Sequence, residues 1–334
     1  MNPKQLITIA RDTYNLNNNG HTYEDGKISY VNWWKNDLEK QWFTDFIENS
    51  PIKTDKKIRF YSVFGSYKAL NDNFDGIKVF YTGENLMPRV KHQNLLERPE
   101  KTFSLDRRAA LYRNNISKLG MNLCLTFSTD GIDNAIRFPY WILTHFSNCH
   151  SIEDVKERLD KIEAKYKEAD TSRQGAVVVA SHDFFGTRTN ICDALESCLD
   201  ITYAGKWRNN SEALWTTYNN DKGKLLRKYR FNICPENMDA KEYVTEKIWD
   251  SFANGCIPIY SGALGNPEPN IFIKKAFILW PLDDVNPSNV EEIQRLARDD
   301  EYYHIFKNKP LFVKGSAEYI WNIIMAFEKA INEL

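Results

Sequence analysis

The stretch FNICPENMDAKEYVTEKIWDSFANGCIPIYSG, residues Phe231–Gly262, decides the fold of this chain. Short β-branched and aromatic runs stand at both ends, and the apolar spacing between them predicts a helix over Glu242–Gly255. Gly255 follows that pattern at a position suited to a left-handed glycine. A strand, a helix and a second strand in this order form the unit from which parallel sheets are built. The stretch therefore predicts an α/β fold.

The same alternation extends along the rest of the chain. Further strands are predicted at residues 27–34, 57–65, 77–84, 123–128, 138–143, 176–181, 201–205 and 275–280. Helices are predicted at residues 37–50, 154–169, 190–199 and 317–334. Strands that alternate with helices imply mostly parallel, doubly wound sheets, whose ligands bind beyond the carboxyl ends of the strands.

The 334 residues suffice for two domains. The polar run ADTSRQG, residues 169–175, is the predicted boundary between them. We expect an N-terminal extension (1–26), a first domain (27–170), a second domain (171–310) and a C-terminal segment (311–334). The apolar face of the last helix is expected to pack back across the domains. It carries Ile320, Ile323, Ile324, Phe327 and Ile331.

Composition excludes several classes of protein. The 44 basic and 45 acidic residues leave a net charge of −1, which disfavours nucleic acid as a partner. No apolar run approaches a membrane span and the N-terminus lacks a secretory signal, so we expect a cytoplasmic protein, with peripheral association at the inner membrane left open. The six cysteines contain no CxxC pair and are expected to be buried free thiols.

The common nucleotide and metal motifs are absent from the sequence. It contains no GxGxxG, no GxxxxGK[ST], no GxSxG and no HExxH. It also lacks a DxD motif, which would offer carboxylates to a divalent metal on a diphosphate. We therefore predict no metal and no cofactor. YSGALG, residues 260–265, is at most a weak candidate for a phosphate loop.

Glu246 and Lys247 have two interpretations on periodicity alone. Helical spacing places them with Tyr243 and Asp250 opposite the apolar face of the predicted helix. They could form an ordinary solvated face. They could instead present an acid and a base to a ligand near the start of the helix.

Four segments resemble the family-10 glycosyltransferases, the α1,3/4-fucosyltransferases. ENMDAKEYVTEK, residues 236–247, is similar to the signature of that family, in which FEN precedes YVTEK at this spacing. Pro235 replaces the usual phenylalanine. NWW (32–34), FYTGEN (80–85) and SHDFFGTR (181–188) resemble bacterial segments in the same order.

The resemblance implies a GT-B architecture, in which two Rossmann-like domains flank a cleft. It implies transfer of L-fucose from GDP-β-L-fucose, with inversion, to a glycan hydroxyl. The expected acceptor is O3 of N-acetylglucosamine in an N-acetyllactosamine unit, which gives a Lewis x type product. The acceptor could be an oligosaccharide or a lipopolysaccharide. Residues 91–113 are expected to decide the choice of acceptor.

The resemblance also assigns roles to residues. Glu84, just after the strand at 77–81, would be the catalytic base. The donor would be bound by Arg188, Asn237, Tyr243, Glu246 and Lys247. In this set Arg188 and Lys247 would neutralise the diphosphate in place of a metal. Acceptor binding would fall to Asn32, Trp33 and Trp34, although neighbouring tryptophans cannot both face the ligand.

Two other functions stay open from sequence alone. The first is a GT-B enzyme that uses another nucleotide sugar or another acceptor. The second is a catalytically silent glycan-binding module, which would not need cations for a diphosphate.

Overall fold

A computed structural model of the protein describes Pro3, Leu6, Ile7 and residues 20–34, 41–87, 109–281 and 287–334. The chain divides into two compact units. The first contains residues 1–88, 98–154 and 320–334, and the second contains residues 89–97 and 155–319. Residues 91–113 are predicted to select the acceptor. Of these, residues 91–108 lie outside the described part of the chain.

The first unit is built on a six-stranded sheet. Its strands are β1 (His21–Asp25), β2 (Ile28–Trp33), β3 (Ile58–Tyr61), β4 (Ile77–Tyr81), β5 (Leu123–Thr126) and β6 (Ala135–Arg137). They lie in chain order, and every neighbouring pair is parallel except β1 with β2. Because the order never reverses, this sheet differs from the doubly wound arrangement expected from the alternation.

Aromatic side chains fill the core of the first unit. Its helices include Trp42–Asn49, Tyr140–His145 and residues 109–115. The C-terminal helix, Ser316–Glu333, contributes Phe327 to this unit. The Phe327 ring lies 5.4 Å from that of Phe43 and 5.7 Å from that of Phe138. The last turns of the chain are thus part of the first core, as the apolar face of the predicted helix suggests.

One strand predicted for this unit is wrong. Phe138–Leu143 is not a strand, because β6 ends at Arg137 and residues 140–145 are helical. Pro139 stands at the N-cap with extended dihedrals, so a proline separates strand from helix. Strand β1 lies at the edge of the sheet, within the residues 1–26 that were expected to form an N-terminal extension.

The second unit contains a five-stranded, fully parallel sheet. Its strands are β7 (Ala176–Val178), β8 (Ile201–Tyr203), β9 (Phe231–Ile233), β10 (Ile257–Tyr260) and β11 (Ile278–Leu279). Their spatial order is β8-β7-β9-β10-β11. The chain reverses its direction of winding at β7, so β7 and β9 form the topological switch point. In open α/β sheets that is where ligands bind.

The helices of the second unit occupy the connections between its strands and the region that follows them. Their bounds are Ile152–Lys167, Thr187–Leu195, Ala213–Thr216, Lys222–Leu226, Lys247–Ala253, Pro287–Arg298 and Asp300–Lys307. The first of them begins at the end of the first unit. Within the described part of the chain, no helix combines the length and apolar character needed to cross a membrane.

The helix of the deciding stretch begins five residues later than predicted. Glu242 has a left-handed φ of 62°, and the first helical residue is Lys247. Tyr243 therefore precedes the helix instead of lying on its polar face. At the other end, Gly255 has a φ of 77°, which confirms the predicted left-handed C-terminal glycine.

The cysteines are free, and all but Cys198 are buried. Burial raises the pKa of Cys124, Cys192, Cys234 and Cys256 to about 12. These four thiols are therefore protonated at neutral pH and serve as packing groups.

Candidate functional site

Arg188 connects the two loops of the switch point. It is the second residue of helix Thr187–Leu195, which follows the loop after β7. Its guanidinium donates to the carbonyl oxygen of His182 at 3.1 Å and to that of Pro235 at 3.4 Å. It also donates to Oδ1 of Asn237 at 3.1 Å, so two residues predicted to bind the donor are in direct contact.

Asp183 caps the helix that carries Arg188. Its carboxylate accepts from the backbone N–H of Arg188 at 3.2 Å and from that of Thr189 at 2.7 Å. These helix N-terminal donors are satisfied within the protein. These two N–H groups are therefore not available to an anionic ligand, whose charge would have to be neutralised by side-chain cations.

Arg188 is almost completely buried. Burial lowers the pKa of its guanidinium, and the nearby carboxylates of Asp183 and Glu236 act in the opposite direction. An arginine nevertheless remains charged at neutral pH. The structure thus keeps a permanent cation within the second unit at its switch point.

Lys247 is the second cation of this region. Its Nζ lies 2.9 Å from Oε2 of Glu236 and 2.9 Å from Oγ1 of Thr245, and 4.0 Å from Oε1 of Glu246. Burial lowers the pKa of Lys247, but the two carboxylates outweigh burial and the pKa lies above its ordinary value. Lys247 is therefore an ammonium ion at any physiological pH.

Glu246 is the more accessible carboxylate beside Lys247, with 26% of its side chain exposed. Burial raises its pKa, but Lys247 and Lys222 together bring the pKa below its ordinary value. Lys222 itself pairs with Asp250 at 2.8 Å. Glu246 is thus ionised and can accept hydrogen bonds from hydroxyl groups of a ligand.

Glu236 is the centre of this cluster, although the sequence and the family resemblance indicate no separate role for it. Its side chain is fully buried, and it accepts hydrogen bonds from Thr245, Lys247 and Tyr260. The only signal in the sequence was its place in the ENMDAKEYVTEK segment. Tyr243, which was predicted to bind the donor, is buried in the turn before the helix.

In the first unit, Glu84 lies in the turn that follows β4. Its backbone N–H donates to Oγ1 of Thr82 at 2.9 Å, and its side chain is half-buried. The preceding Gly83 packs against Tyr140, where an added Cβ would lie 3.0 Å from the Tyr140 Cβ. Glycine therefore lets the Glu84 turn approach the Tyr140 ring closely.

The structure gives the two neighbouring tryptophans different environments. Trp33 has no exposed surface, and its Nε1 donates to Oε1 of Gln41. Trp34 is half-buried and stacks on Trp33 with ring centroids 4.6 Å apart. Asn32 is buried with a left-handed φ of 58°, and its Nδ2 donates to the carbonyl oxygen of Ser66. Of the three predicted acceptor residues, Trp34 is the one available to a ligand.

A cavity of about 340 Å³ opens beside Trp34 within the first unit. Aromatic rings and oxygen-bearing side chains dominate its wall. The lining residues are Trp34, Gln41, Trp42, Asp45, Glu48, Tyr140, Leu143, Thr144, Ser147 and Asn148. Tyr140 belongs to this wall and also contacts Gly83, so the cavity lies next to the turn that carries Glu84. Aromatic faces combined with hydrogen-bonding groups suit a sugar.

The described residues contain no group of three or more His, Cys, Asp or Glu side chains arranged to hold a metal ion. The candidate residues form one set in each unit. Arg188 with Asn237 and Lys247 with Glu246 gather around the loop after β9. The other set consists of Glu84 and Trp34, which lie next to the cavity.

Family comparisons match both halves of the chain. The model described as "Alpha-(1,3)-fucosyltransferase FucT N-terminal domain" matches residues 28–144. The model "Glycosyltransferase family 10 (fucosyltransferase) C-term" matches residues 169–311.

Curated relatives point to the same family. The α-(1,3)-fucosyltransferase FucT of Helicobacter pylori is 27% identical over 92% of this chain and 66% of its own length. The chain thus spans slightly less than two thirds of that relative. The α-(1,3)-fucosyltransferase B of Drosophila melanogaster is 32% identical over a shorter region, 26% of this chain and 20% of its own.

Solved structures resemble the chain over nearly its whole length. A crystal structure of an α1,3-fucosyltransferase with GDP-fucose has a TM-score of 0.56 and 21% identity, and covers 97% of each chain. A further crystal structure of an α1,3-fucosyltransferase has a TM-score of 0.59 and 22% identity, and the match covers 99% of this chain and 97% of the other. This likeness establishes the fold and confirms the GT-B architecture predicted from the sequence.

Proposed function

Since this chain belongs to glycosyltransferase family 10, we propose that it transfers L-fucose from GDP-β-L-fucose to a glycan hydroxyl with inversion at the sugar carbon. One observation carries the proposal furthest: Arg188 and Lys247 both contact the loop after β9, at the switch point of the second sheet. Two cations held there suit a nucleotide diphosphate. A glycan-binding module has no use for such a pair.

In this proposal the second unit binds the donor. Arg188 and Lys247 neutralise the diphosphate, and Glu246 accepts hydrogen bonds from hydroxyls of the ribose or of fucose. Asn237 orients Arg188 through their mutual contact, and the buried Tyr243 shapes the donor site from within the protein. Negative charge grows on GDP as its bond to fucose breaks, so fixed cations stabilise the transition state more than the ground state.

The first unit supplies the base and binds the acceptor. The acceptor hydroxyl attacks the anomeric carbon as the bond to GDP breaks, and Glu84 takes the hydroxyl proton. Glu84 is suited to this role because it follows a central parallel strand and lies next to the cavity beside Trp34. The acceptor that we propose is O3 of N-acetylglucosamine in an N-acetyllactosamine unit, with the sugar stacked on Trp34.

Direct assay of transfer tests this function. The protein is incubated with GDP-fucose, or with other nucleotide sugars one at a time, and with a panel of glycans that includes N-acetyllactosamine. Mass spectrometry then detects any added sugar. We expect the mass increase of one deoxyhexose with GDP-fucose alone. A product formed only with a different nucleotide sugar would support the other GT-B function, and binding without any product would support the glycan-binding module.

Transfer should continue in excess EDTA. The two side-chain cations provide the positive charge that a divalent ion supplies in enzymes with a DxD motif, and the chain has no such motif. The measurement is the initial rate with and without chelator, followed by addition of Mn²⁺. A rate abolished by EDTA and restored by Mn²⁺ would contradict the assignment of Arg188 and Lys247 to the diphosphate.

Trp34→Ala should raise the KM for the acceptor by roughly 5-fold, because stacking of one aromatic ring on a sugar contributes about 1 kcal/mol. GDP binding in the second unit should be unchanged. Trp215→Ala, which removes a partly exposed tryptophan from the second unit, is the matched control. An acceptor KM equal to that of the parent would exclude Trp34 from acceptor binding.

A further inference from the structure

We propose that Glu236 is a positioning residue, which fixes the ammonium group of Lys247 so that it faces the donor diphosphate. The inference rests on the proposed function, because that function assigns Lys247 to the diphosphate. The side chain of Glu236 has no exposed surface, whereas 16% of the Lys247 side chain is exposed. Glu236 therefore acts from behind Lys247 without touching the ligand itself.

Hydrogen bonds hold both oxygens of the Glu236 carboxylate. Oε1 accepts from the backbone N–H of Thr245 at 2.7 Å and from the hydroxyl of Tyr260 at 3.1 Å. Oε2 accepts from Oγ1 of Thr245 at 2.7 Å and from Nζ of Lys247 at 2.9 Å. Each oxygen has two partners, so the carboxylate has a single orientation.

This arrangement also fixes Lys247. Its Nζ donates to Oε2 of Glu236 and to Oγ1 of Thr245, which uses two of its three N–H donors. The third donor remains for a phosphate oxygen. A free lysine side chain samples many rotamers, and ordering it at the moment of binding costs free energy. Glu236 and Thr245 order the ammonium before the donor arrives.

A carboxylate is needed at this position, since an amide cannot make the same bonds. On each oxygen of Glu236, one partner can only donate: the backbone N–H of Thr245 on Oε1 and the ammonium of Lys247 on Oε2. The NH₂ group of a glutamine would face one of these donors in either orientation. Glu236→Gln therefore disrupts either the Thr245 contact or the Lys247 contact.

Gly262 packs closely against the side chain of Glu236. An added Cβ at Gly262 would lie 2.7 Å from Cγ of Glu236 and 2.8 Å from the hydroxyl of Tyr260. Burial and the Glu236 carboxylate raise the pKa of Tyr260, so its hydroxyl remains a donor. Glycine at 262 thus lets the loop after β10 pack directly on the Glu236 side chain.

A double-mutant cycle on Glu236→Gln and Lys247→Ala tests the inference. We expect Glu236→Gln alone to lower turnover with GDP-fucose by roughly 10- to 100-fold, the usual effect of losing one charge-assisted hydrogen bond. In the Lys247→Ala background the same substitution should change turnover by less than about threefold, because its effect acts through Lys247. A purely structural role would give losses that multiply, and that result would overturn the inference.

Tyr260→Phe is the matched control. It removes one partner from Oε1 and leaves Oε2 and Lys247 in contact. We expect it to lower the thermal unfolding midpoint but to reduce turnover much less than Glu236→Gln does. An equal loss of turnover in both variants would mean that the buried cluster matters as a whole, and would contradict a specific action on Lys247.

A second pair of variants keeps the inference testable if Glu236→Gln does not fold. Thr245→Val removes the hydroxyl that bonds both Glu236 and Lys247 at nearly constant shape, and Thr245→Ser retains it. Lower turnover for the valine variant than for the serine variant would support positioning, and equal turnover would oppose it. The proposed function has its own test, which does not depend on Glu236. It would be contradicted if Lys247→Ala left the affinity for GDP and the turnover at the values of the parent protein.

Discussion

Glu84→Gln should lower turnover roughly 10²- to 10⁴-fold, which is the usual contribution of a positioned general base. The amide keeps the shape of the side chain and the turn after β4, but it cannot take a proton from the acceptor hydroxyl. The KM for the acceptor and the affinity for GDP should change little. Initial rates with GDP-fucose and N-acetyllactosamine measure the first effect, and calorimetry with GDP measures the second.

The control for Glu84→Gln is Glu153→Gln, which neutralises an exposed carboxylate at the start of helix Ile152–Lys167, also in the first unit. It should retain parental turnover. If Glu84→Gln, with its fold verified by thermal unfolding, also turns over like the parent, then Glu84 is a structural residue of its turn and another group accepts the proton.

The class of the fold was predictable because most of the strands are short apolar runs with clear ends. The predicted strands at 57–65, 77–84 and 176–181 all contain strands of the two sheets. The order of strands within each sheet was not predictable from these patterns, because the order depends on how each connection crosses the sheet. The monotonic order of the first sheet and the switch at β7 are therefore findings of the structure.

Local patterns failed where a tertiary contact determines the backbone. Periodicity favours a helix from Glu242 onwards, but the Glu236 carboxylate binds the backbone N–H and the hydroxyl of Thr245, and the helix begins only at Lys247. A hydrogen bond across nine residues has no signature in helical spacing. The failure of the local rule thus coincides with the candidate site, where such departures are expected.

The candidate site was predictable in its residues but only partly in its roles. Family resemblance selected Arg188 and Asn237, and the structure brings them into contact. It selected Trp33 and Trp34 equally, and burial separates the core residue from the accessible one. It gave no role to Glu236, because a buried carboxylate that acts through its neighbours is identified only by its hydrogen bonds.

Lys247→Ala should lower turnover by roughly 100-fold or more, comparable to the loss of a preorganised group that stabilises charge in the transition state. Its ammonium lies 2.9 Å from Glu236 and 4.0 Å from Glu246, so the substitution also removes a neighbouring cation from both carboxylates. Both changes make the site less favourable for a diphosphate. We therefore expect weaker binding of GDP as well as slower transfer.

Calorimetry with GDP and initial rates with GDP-fucose separate these two effects of Lys247→Ala. Lys224→Ala, which removes an exposed lysine paired with Asp221, is the control for loss of one positive charge from the same unit. A fall in turnover larger than the fall in GDP affinity would mean that Lys247 acts mainly as charge develops on the leaving group. If Lys247→Ala instead binds GDP as tightly as the parent and turns over at the same rate, the nucleotide does not contact Lys247, and the donor half of the proposed function is wrong.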